Sequence, residues 1–379
     1  MILSDEQKII RDTVRTYSQE KLLVTAGLRD QTHAFPTDEL AELAEMGLMG
    51  MVVPPELGGA GLDYLSTALV LEEVAAGDGA LSTIISVQNS VVCGPILLFG
   101  NDIQRERFLK PLARGEKLGC FCLTEPHVGS DAGAIKTRAM QSGNGYRING
   151  TKQFITTGKN AHLAIVIAVT DPSAGKKGLS AFIVPTDTPG FVVAKVEDKM
   201  GQHGSDTAQI VFDECIVPAA NLLGKEGDGY RIALANLESG RIGIAAQSVG
   251  MARAAYRCAL RYAQEREAFG KPIYEHQAVQ FRLAECATKI EAARQLVWHA
   301  AALKDAGEAC LKEASMAKLF ASEMAEQVCS AALQTLGGYG YLSDFPVERI
   351  YRDVRVTQIY EGTSDIQKLV IAREIAKEL

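Results

Sequence analysis

The sequence lacks the clusters of basic residues that nucleic-acid-binding proteins carry. Its 379 residues include 39 Lys and Arg against 46 Asp and Glu, and the formal net charge is −7. The only adjacent basic pair is Lys176-Lys177. Because nucleic-acid binding requires clustered cations that replace the counterions of the phosphates, we predict that the protein has no nucleic-acid partner.

The chain has cysteines and histidines but no spacing that is typical of a metal site. None of the eight cysteines forms a C-x-x-C pair, and the six histidines are widely dispersed. Most of the cysteines lie in apolar segments, so we expect no metal and no disulfide framework, but reduced core thiols of an intracellular protein.

Several motifs of common enzyme classes are also missing. The sequence contains no G-x-G-x-x-G or G-x-x-x-x-G-K-[ST] loop, no G-x-S-x-G elbow and no H-E-x-x-H helix. Rossmann-type NAD binding, P-loop chemistry, serine hydrolases of the elbow type and zinc peptidases therefore have no support.

The N-terminus shows no targeting segment, because Met1 to Gln7 leads directly into an acidic helix start. We expect a soluble protein, either cytoplasmic in a bacterium or in the mitochondrial matrix after removal of a leader. One uncharged stretch, 79–101, is long enough to cross a bilayer. It includes Ser82, Asn89 and Pro95, so we predict a buried core helix and no membrane association.

The hydrophobic pattern divides the chain into three parts and predicts an α+β multidomain protein. A helical domain is expected at 1–118, a β domain at 119–225 and a second helical domain at 226–379. Capping residues are expected at Ser4 with Gln7 and at Thr37. We predict a hairpin at 146–155 with its turn at Asn149-Gly150. Further predicted strands lie at 164–169, 179–184, 190–196 and 208–212, and long helices at 242–266 and 279–303.

Three polar features have ordinary explanations when each is taken alone. The loop 121–131 offers hydroxyl and backbone donors for an electron-rich ring or a phosphate, but it is also ordinary turn chemistry. Arg266 suits a pyrophosphate, yet it is equally typical of a solvated helix surface. Gly337-Gly338 predicts a helix end with close backbone approach, to either a ligand or another helix.

Glu361 lies just before a predicted last helix. Ser364 and Gln367 form a capping-box signature that opens this helix. An acidic residue at this place often only complements the helix dipole, so the residue pattern alone leaves a catalytic role open.

Five motifs considered together resemble the acyl-CoA dehydrogenases, in the order and spacing of that family and over the whole chain. They are Leu-Thr-Glu-Pro-x-x-Gly-Ser at 123–130, Lys-Gln-Phe-Ile-Thr at 152–156, Arg-Glu-Ala-Phe-Gly at 266–270, Gln-Thr-Leu-Gly-Gly-Tyr-Gly at 334–340 and Ile-Tyr-Glu-Gly-Thr-Ser at 359–364. The resemblance implies an N-terminal helical domain, a middle β-barrel or sandwich and a C-terminal helical bundle.

The resemblance also implies FAD, bound by two sets of residues from different subunits of a homotetramer that is a dimer of dimers. The isoalloxazine ring would be surrounded by Leu123, Thr124, Ser130, Phe154, Ile155 and Thr156, with Thr156 near N5 and with Thr363 and Ser364 close by. The pyrophosphate and adenosine would be held by Arg266, Phe269, Gln277, Gln334, Gly337 and Gly338.

By the same resemblance, Glu361 is the base that removes the α-proton of an acyl-CoA while the β-hydride passes to flavin N5. The products are a trans-2-enoyl-CoA and reduced FAD, which electron-transferring flavoprotein would reoxidise. Some relatives place the base just before the arginine of the segment 237–241, where this chain has Gly240. Substrate contacts are expected from Ser130, Glu238, Arg241, Tyr360 and Gly362, although most relatives have Asp in place of Glu238.

The acyl group is expected to be short, four to six carbons, because the segment 240–244 and the lack of an extended insertion resemble the short-chain members. A branched short-chain substrate, isobutyryl- or 2-methylbutyryl-CoA, is the alternative. The pathway would be the catabolism of fatty acids or branched-chain amino acids. An acyl-CoA oxidase and a flavin-containing binding protein without turnover are two further hypotheses, which chain length and the intact Glu361 respectively disfavour.

Overall fold

The computed structural model of the protein describes residues 1–378. Its first part is helical, as the apolar spacing predicts. The capping box at Ser4 is confirmed, because Ser4 Oγ accepts from Gln7 N at 3.1 Å and Gln7 Oε1 accepts from Ser4 N at 3.0 Å. The eight helices of this part are α1 (Asp5–Tyr17), α2 (Leu23–Thr32), α3 (Thr37–Glu45), α4 (Tyr64–Gly77), α5 (Gly79–Val87), α6 (Gly94–Phe99), α7 (Asp102–Gln104) and α8 (Lys110–Ala113).

The predicted cap at Thr37 is wrong by one residue. Thr37 is the first residue of α3, and Pro36 stands at the N-cap position with φ −81° and ψ 59°. Proline has a fixed φ and no N–H, so it ends the preceding loop and leaves Thr37 to begin the helix.

The uncharged stretch forms one continuous helix, in which a π-helical turn at Gln88–Cys93 joins α5 to α6. Gly79–Phe99 is long and apolar enough to cross a membrane, but 78% of its most apolar window is buried inside the protein. Asn89 in this helix is bonded by protein, since its side chain donates to Leu48 O and accepts from Met51 N. These contacts support the prediction of a core helix.

The middle part is one eight-stranded, mostly antiparallel sheet. The strand order is β6-β7-β3-β2-β4-β5-β8, and β1 pairs with β4 in parallel. The strands are β1 (Gly119–Cys122), β2 (Arg138–Ser142), β3 (Gly145–Thr156), β4 (Leu163–Val169), β5 (Leu179–Pro185), β6 (Phe191–Val196), β7 (Thr207–Pro218) and β8 (Leu222–Leu223).

The predicted hairpin turn at Asn149-Gly150 is wrong, because β3 runs straight through both residues. The turn lies at 143–144 instead, between β2 and β3. A type I′ turn requires positive φ at both central residues, and Asn149 does not have one. Gly150 instead allows a close approach of Thr137, whose Oγ1 would lie 2.5 Å from a Cβ at position 150.

The sheet curls so that β4 is buried on both faces. Leu163, Ile165 and Ile167 face the helices of the first part and α9 (Gly229–Ala235), and the alternate residues 164, 166 and 168 pack with β3, β5 and β7. The enclosed cluster includes Phe182, which is fully buried. This arrangement makes a compact β unit that presses against the long apolar helix.

The last part is a bundle around three long helices, and it shares one hydrophobic core with α4 and α5. The predicted helices at 242–266 and 279–303 are confirmed with slightly wider bounds. Beyond α9, the elements are α10 (Leu237–Glu265), β9 (Glu267–Ala268), β10 (Lys271–Pro272), α11 (Gln277–Asp305), α12 (Leu311–Leu336), α13 (Val347–Val354) and α14 (Ser364–Ile375).

Buried ion pairs also connect the two helical parts. Glu72 and Glu73 of α4 are almost fully buried and face three arginines. Arg253 of α10 bonds to both glutamates, Arg294 of α11 bonds to Glu72, and Arg15 of α1 bonds to Glu73. The charged network therefore lies between four helices.

Candidate active site

Glu361 lies in a strained turn between α13 and α14. Its φ is 53° and that of Gly362 is 87°, so two consecutive residues are left-handed. For a glutamate this conformation costs free energy and persists only where the surroundings impose it. Gln367 on α14 imposes it in part, since its Nε2 donates to Glu361 O at 3.1 Å and to Gly362 O at 2.8 Å.

The last helix does not begin with the predicted capping box at Ser364. Thr363 is the N-cap, with φ −57° and ψ 163°, and its hydroxyl accepts from Ile366 N at 3.3 Å. Gln367 forms no box with Ser364: its Nε2 donates to the Glu361 turn, and its Oε1 has no hydrogen-bond partner. The prediction chose the second of two adjacent hydroxyl residues, which sequence spacing alone does not separate.

The carboxylate of Glu361 approaches α10 at Gly240. A Cβ built on Gly240 would lie 2.9 Å from Glu361 Oε2, closer than real Cβ contacts. The absence of a side chain at Gly240 is therefore what makes room for the carboxylate at this point of the site.

Two buried cations lie behind Glu361. Burial raises the pKa of Glu361 above its ordinary value, whereas the positive charges of Arg241 and Lys318 lower it, and burial prevails. Burial in turn lowers the pKa of Lys318 to about 8. Burial thus increases the affinity of the carboxylate for a proton, and the two cations favour its ionised form.

Glu361 opens into a large cleft of about 680 Å³ between the sheet and the last part of the chain. The cleft is of the size that holds a cofactor or a substrate. Of the predicted site residues it is lined by Thr124, Ser130, Phe154, Thr156, Tyr360, Glu361, Gly362 and Thr363. Phe154 is 64% exposed and left-handed at φ 57°, so an apolar ring is presented to this space.

A buried ion pair fixes the loop that follows β1. Lys152 is fully buried, and its Nζ donates to Leu123 O and to Glu125 Oε1, both at 2.9 Å. Glu125 also accepts from the backbone N–H groups of Lys136 and Thr137. The loop with Thr124 and Ser130 is thereby held against the sheet at both of its ends.

A chain of hydrogen bonds supports Tyr360, the residue before Glu361. The Tyr360 hydroxyl donates to Gln247 Oε1 at 2.6 Å, and Gln247 Nε2 donates to Thr83 Oγ1 at 2.5 Å. Thr83 donates to Gln202 Oε1 at 2.7 Å, and Gln202 bonds to Asp353. All three parts of the chain thus contribute to the wall of the cleft.

A second, narrower cavity of about 50 Å³ lies between α4, the π-helical turn and α10. Its lining includes Ser86 and Asn89 from the apolar helix and Ser239, Ile242 and Gly243 from α10. Gly243 lies one helical turn after Gly240, and Ser86 one turn after Thr83 of the cleft. The small cavity and the cleft thus lie by neighbouring turns of the same two helices, and they share no lining residue.

The predicted adenosine-binding residues lie elsewhere. Arg266, Gly337 and Gly338 line an open cavity of about 610 Å³ that shares no lining residue with the cleft. Gly337 caps α12 at φ 60°, as predicted for a helix end. Phe269, Gln277 and Gln334 are exposed near this cavity but do not line it.

Four further predicted contacts are less accessible or are occupied by other partners. Arg241 is 3% exposed, and Glu238 pairs with Lys304 at 3.1 Å. Ile155 is in the core of the sheet and Leu123 packs on the helices beside it. Another predicted contact, Ser364, is also outside the lining of the cleft.

Sequence reasoning missed Lys318, Lys152 and Gln367 as supports of the site. Lys318 lies on the buried stripe of α12 with Ala314, Ala317, Ala321 and Ala325. A lysine at helical spacing among core alanines is a signal that the sequence does contain. Within residues 1–378, no group of three or more His, Cys, Asp or Glu could hold a metal ion.

Three protein-family models match the chain in order. They are "Acyl-CoA dehydrogenase, N-terminal domain" at residues 4–116, "Acyl-CoA dehydrogenase, middle domain" at 120–215 and "Acyl-CoA dehydrogenase, C-terminal domain" at 227–376.

Individual proteins are similar over almost their whole length. The mitochondrial short-chain specific acyl-CoA dehydrogenase of Rattus norvegicus is 46% identical over 375 residues, which are 99% of this chain and 91% of the rat protein. The structure of butyryl-CoA dehydrogenase from Megasphaera elsdenii superposes with a TM-score of 0.97 at 41% identity and covers 99% of both chains. A glutaryl-CoA dehydrogenase from Mycobacterium smegmatis, solved in complex with FADH2, has a TM-score of 0.94 at 31% identity and covers 99% of this chain and 95% of its own.

Proposed function

Because the chain belongs to the acyl-CoA dehydrogenase family, we propose that it removes the α- and β-hydrogens of short-chain acyl-CoA thioesters, with Glu361 as the base. The observation that carries the proposal is the Glu361 turn. It presents a carboxylate of raised pKa to a large cleft, beside a narrow apolar cavity.

Glu361 takes the α-proton of the thioester on a carboxylate oxygen. A base is effective when its pKa approaches the working pH, and burial moves the pKa of Glu361 in that direction. Arg241 and Lys318 keep the waiting carboxylate ionised. The backbone N–H of Glu361, by the family resemblance, polarises the thioester oxygen while charge develops on it.

The cleft suits FAD, which when bound would accept the β-hydrogen with its electron pair. Thr124, Ser130 and Thr156 provide hydroxyl donors for the polar edge of the isoalloxazine ring, and Phe154 provides an apolar surface. Arg266 with Gly337 and Gly338 would hold the pyrophosphate of a second FAD, whose ring lies in the partner subunit. This division requires a homotetramer or at least a dimer.

The CoA part of the substrate needs cations for its phosphates. Arg241 is poorly placed for this contact because it is 3% exposed, and Glu238 is an anion that pairs with Lys304. Lys176, Lys177 and Arg231 line an open cavity of about 480 Å³ together with Tyr230. Lys176 also passes close to Gly133, at the end of the loop that bears Ser130. We therefore favour these cations as the phosphate contacts.

The narrow cavity favours a short acyl group. Its volume of about 50 Å³ is small beside the cleft of about 680 Å³. A short tail such as butyryl is therefore favoured, whereas an octanoyl tail would require α4 and α10 to move apart. A branched four- or five-carbon group is the alternative. Electron-transferring flavoprotein remains the proposed acceptor, and catabolism of fatty acids or branched-chain amino acids the proposed pathway.

The test is an anaerobic titration of the purified flavoprotein with butyryl-CoA, isobutyryl-CoA and octanoyl-CoA, following the visible flavin band. We expect butyryl-CoA to bleach the flavin, and Glu361→Gln to slow bleaching by roughly 10²- to 10⁴-fold while FAD content is unchanged. Glu374→Gln on α14 is the matched control and should bleach normally. If no thioester bleaches the wild-type flavin, the protein is a binding protein and the proposal fails.

A further inference from the structure

Lys318 is a fully buried lysine without a close carboxylate partner among residues 1–378. It lies about two turns into α12, and its Nζ donates to Gly362 O at 2.7 Å. An ammonium group is almost never buried completely unless it is paired, because the loss of hydration is costly. A position that retains such a group has a use for its charge or for its hydrogen bond.

The bonded carbonyl belongs to the strained turn of the base. Gly362 O accepts from Lys318 Nζ and from Gln367 Nε2, at 2.7 and 2.8 Å. Both donors are fully buried, on α12 and α14. Since both lone pairs of this carbonyl are engaged, the peptide plane between Gly362 and Thr363 is fixed, and the left-handed conformation of Glu361 is fixed with it.

The charge of Lys318 acts on the same carboxylate. Lys318 and Arg241 are the two cations that favour ionised Glu361, and Arg241 leaves its buried Nε without a partner. Lys318 is fully buried and does not line the cleft. The attraction between its positive charge and the Glu361 carboxylate therefore persists when substrate covers the open side of Glu361 and removes the remaining water.

We propose that Lys318 is a positioning residue for Glu361, which holds the left-handed turn through the Gly362 carbonyl and supplies positive charge behind the carboxylate. The inference rests on the proposed role of Glu361 as the base. The two contributions are separable, because Gln367 makes the same bond to the carbonyl without carrying a charge.

The test compares Lys318→Met with Gln367→Leu, using the rate of flavin reduction by butyryl-CoA as a function of pH in single turnover. Both variants should reduce flavin more slowly because the turn is loosened. Only Lys318→Met should also move the acid limb of the profile upward, by on the order of one pH unit, because loss of a neighbouring cation raises the pKa of a carboxylate. Lys318→Arg should restore much of the shift.

Controls separate this role from a purely structural one. Lys312→Met, which changes a half-buried lysine at the start of α12 that pairs with Glu378, should leave the profile unchanged. FAD content and the thermal midpoint are measured for each variant. An acid limb of Lys318→Met that coincides with that of the wild type, whatever its rate, would overturn the proposal. If Lys318→Met does not fold, Lys318→Gln, which keeps a donor but no charge, must show the same shift.

Failure of the proposed function gives a different result. If Glu361→Gln reduces flavin as fast as the wild type, the base is elsewhere, and the acid limb of every variant reports another group. The acid limb of the wild-type pH profile can instead disappear in Glu361→Gln and stay unshifted in Lys318→Met. This pair of results contradicts only the role of Lys318.

Discussion

At the scale of single residues, the proposed role of Glu361 as the base predicts the pH range of activity. The base must be ionised to accept a proton, and burial raises its pKa above the ordinary 4.5. We therefore expect kcat/KM for butyryl-CoA to fall as the pH decreases through a value above 4.5. The measurement is a pH profile of kcat/KM on the free enzyme. A profile that stays flat down to pH 4.5 would contradict the burial of the base.

Gly240 is a second residue-scale determinant, because its missing side chain leaves room for the Glu361 carboxylate. Gly240→Ala should displace the carboxylate and lower kcat by roughly tenfold or more, on the order of 1.4 kcal/mol in barrier height. Helix propensity alone would favour alanine in α10 by about 1 kcal/mol, so the unfolding midpoint should not fall in proportion to the activity.

The matched control for that change is Gly27→Ala. Gly27 lies in α2, and no atom lies within 4 Å of the position that an alanine Cβ would take there. The substitution should therefore stabilise the protein without altering kcat. Steady-state kinetics and thermal unfolding of both variants check the pair of expectations. Equal kcat values for Gly240→Ala and the wild type would refute the steric argument.

At the scale of elements, the loop after β1 depends on the buried pair of Lys152 and Glu125. Burial disfavours the charge of Glu125, but Lys152 and the surrounding donors outweigh it and hold its pKa below the ordinary value. Lys152→Met leaves the carboxylate buried without its cation, which should cost about 3–5 kcal/mol and release FAD. Urea unfolding and the ratio of flavin to protein are the measurements.

A double variant tests whether the charge or the packing matters. Lys152→Met with Glu125→Gln removes the lone charge and keeps an acceptor for the N–H groups of Lys136 and Thr137. It should recover a large part of the lost stability. If the double variant is as unstable as the single one, packing of the lysine stem is the main contribution.

The elements themselves followed from the sequence where periodicity was strong. The long helices and β4 to β7 lie where the apolar spacing predicts them. The predictions were wrong where a short sequence pattern is compatible with two local structures. Asn149-Gly150 is a common turn dipeptide, but Gly150 serves the approach of Thr137, and Thr363 took the cap that Ser364 could also have formed.

The base and the residues that line the cleft were predicted through motifs rather than through physics. Glu361 alone had an ordinary explanation as a helix-dipole residue. The supports were not predictable in this way, because Lys318 and Gln247 are distant from Glu361 in the sequence. Only the fold brings Lys318, near the start of α12, into contact with the turn at position 361.

At the scale of the whole molecule, the network of Glu72 and Glu73 joins the two helical parts. Burial disfavours the charge of Glu73, but hydrogen bonds from Arg253 and Arg15 prevail and lower its pKa below 4.5. A lowered pKa stabilises the folded state above the unfolded pKa, and this contribution is lost as the pH falls below 4.5.

Glu73→Gln should therefore destabilise the protein at pH 7, by about 3–5 kcal/mol, since Arg253 and Arg15 lose a buried partner. The difference from the wild type should shrink as the pH is lowered through 4.5 and below. Urea unfolding at neutral and acid pH measures both effects. Glu106→Gln, in an exposed pair with Lys110, is the control, and a pH-independent difference would argue against the ion network.

The contact between Gly240 and Glu361 also restricts how the base could migrate during evolution. In this structure a Cβ at position 240 would lie 2.9 Å from Glu361 Oε2, so side chains at the two positions compete for the same space. If a lineage moves the carboxylate to α10, residue 361 can first become smaller, which gives an ancestor without a base. In the other order, the ancestor carries two side chains that crowd each other, and its activity is impaired. Positions 240 and 361 should consequently exchange their residues as a mutually exclusive pair, and homologues that carry glutamate at both should be rare.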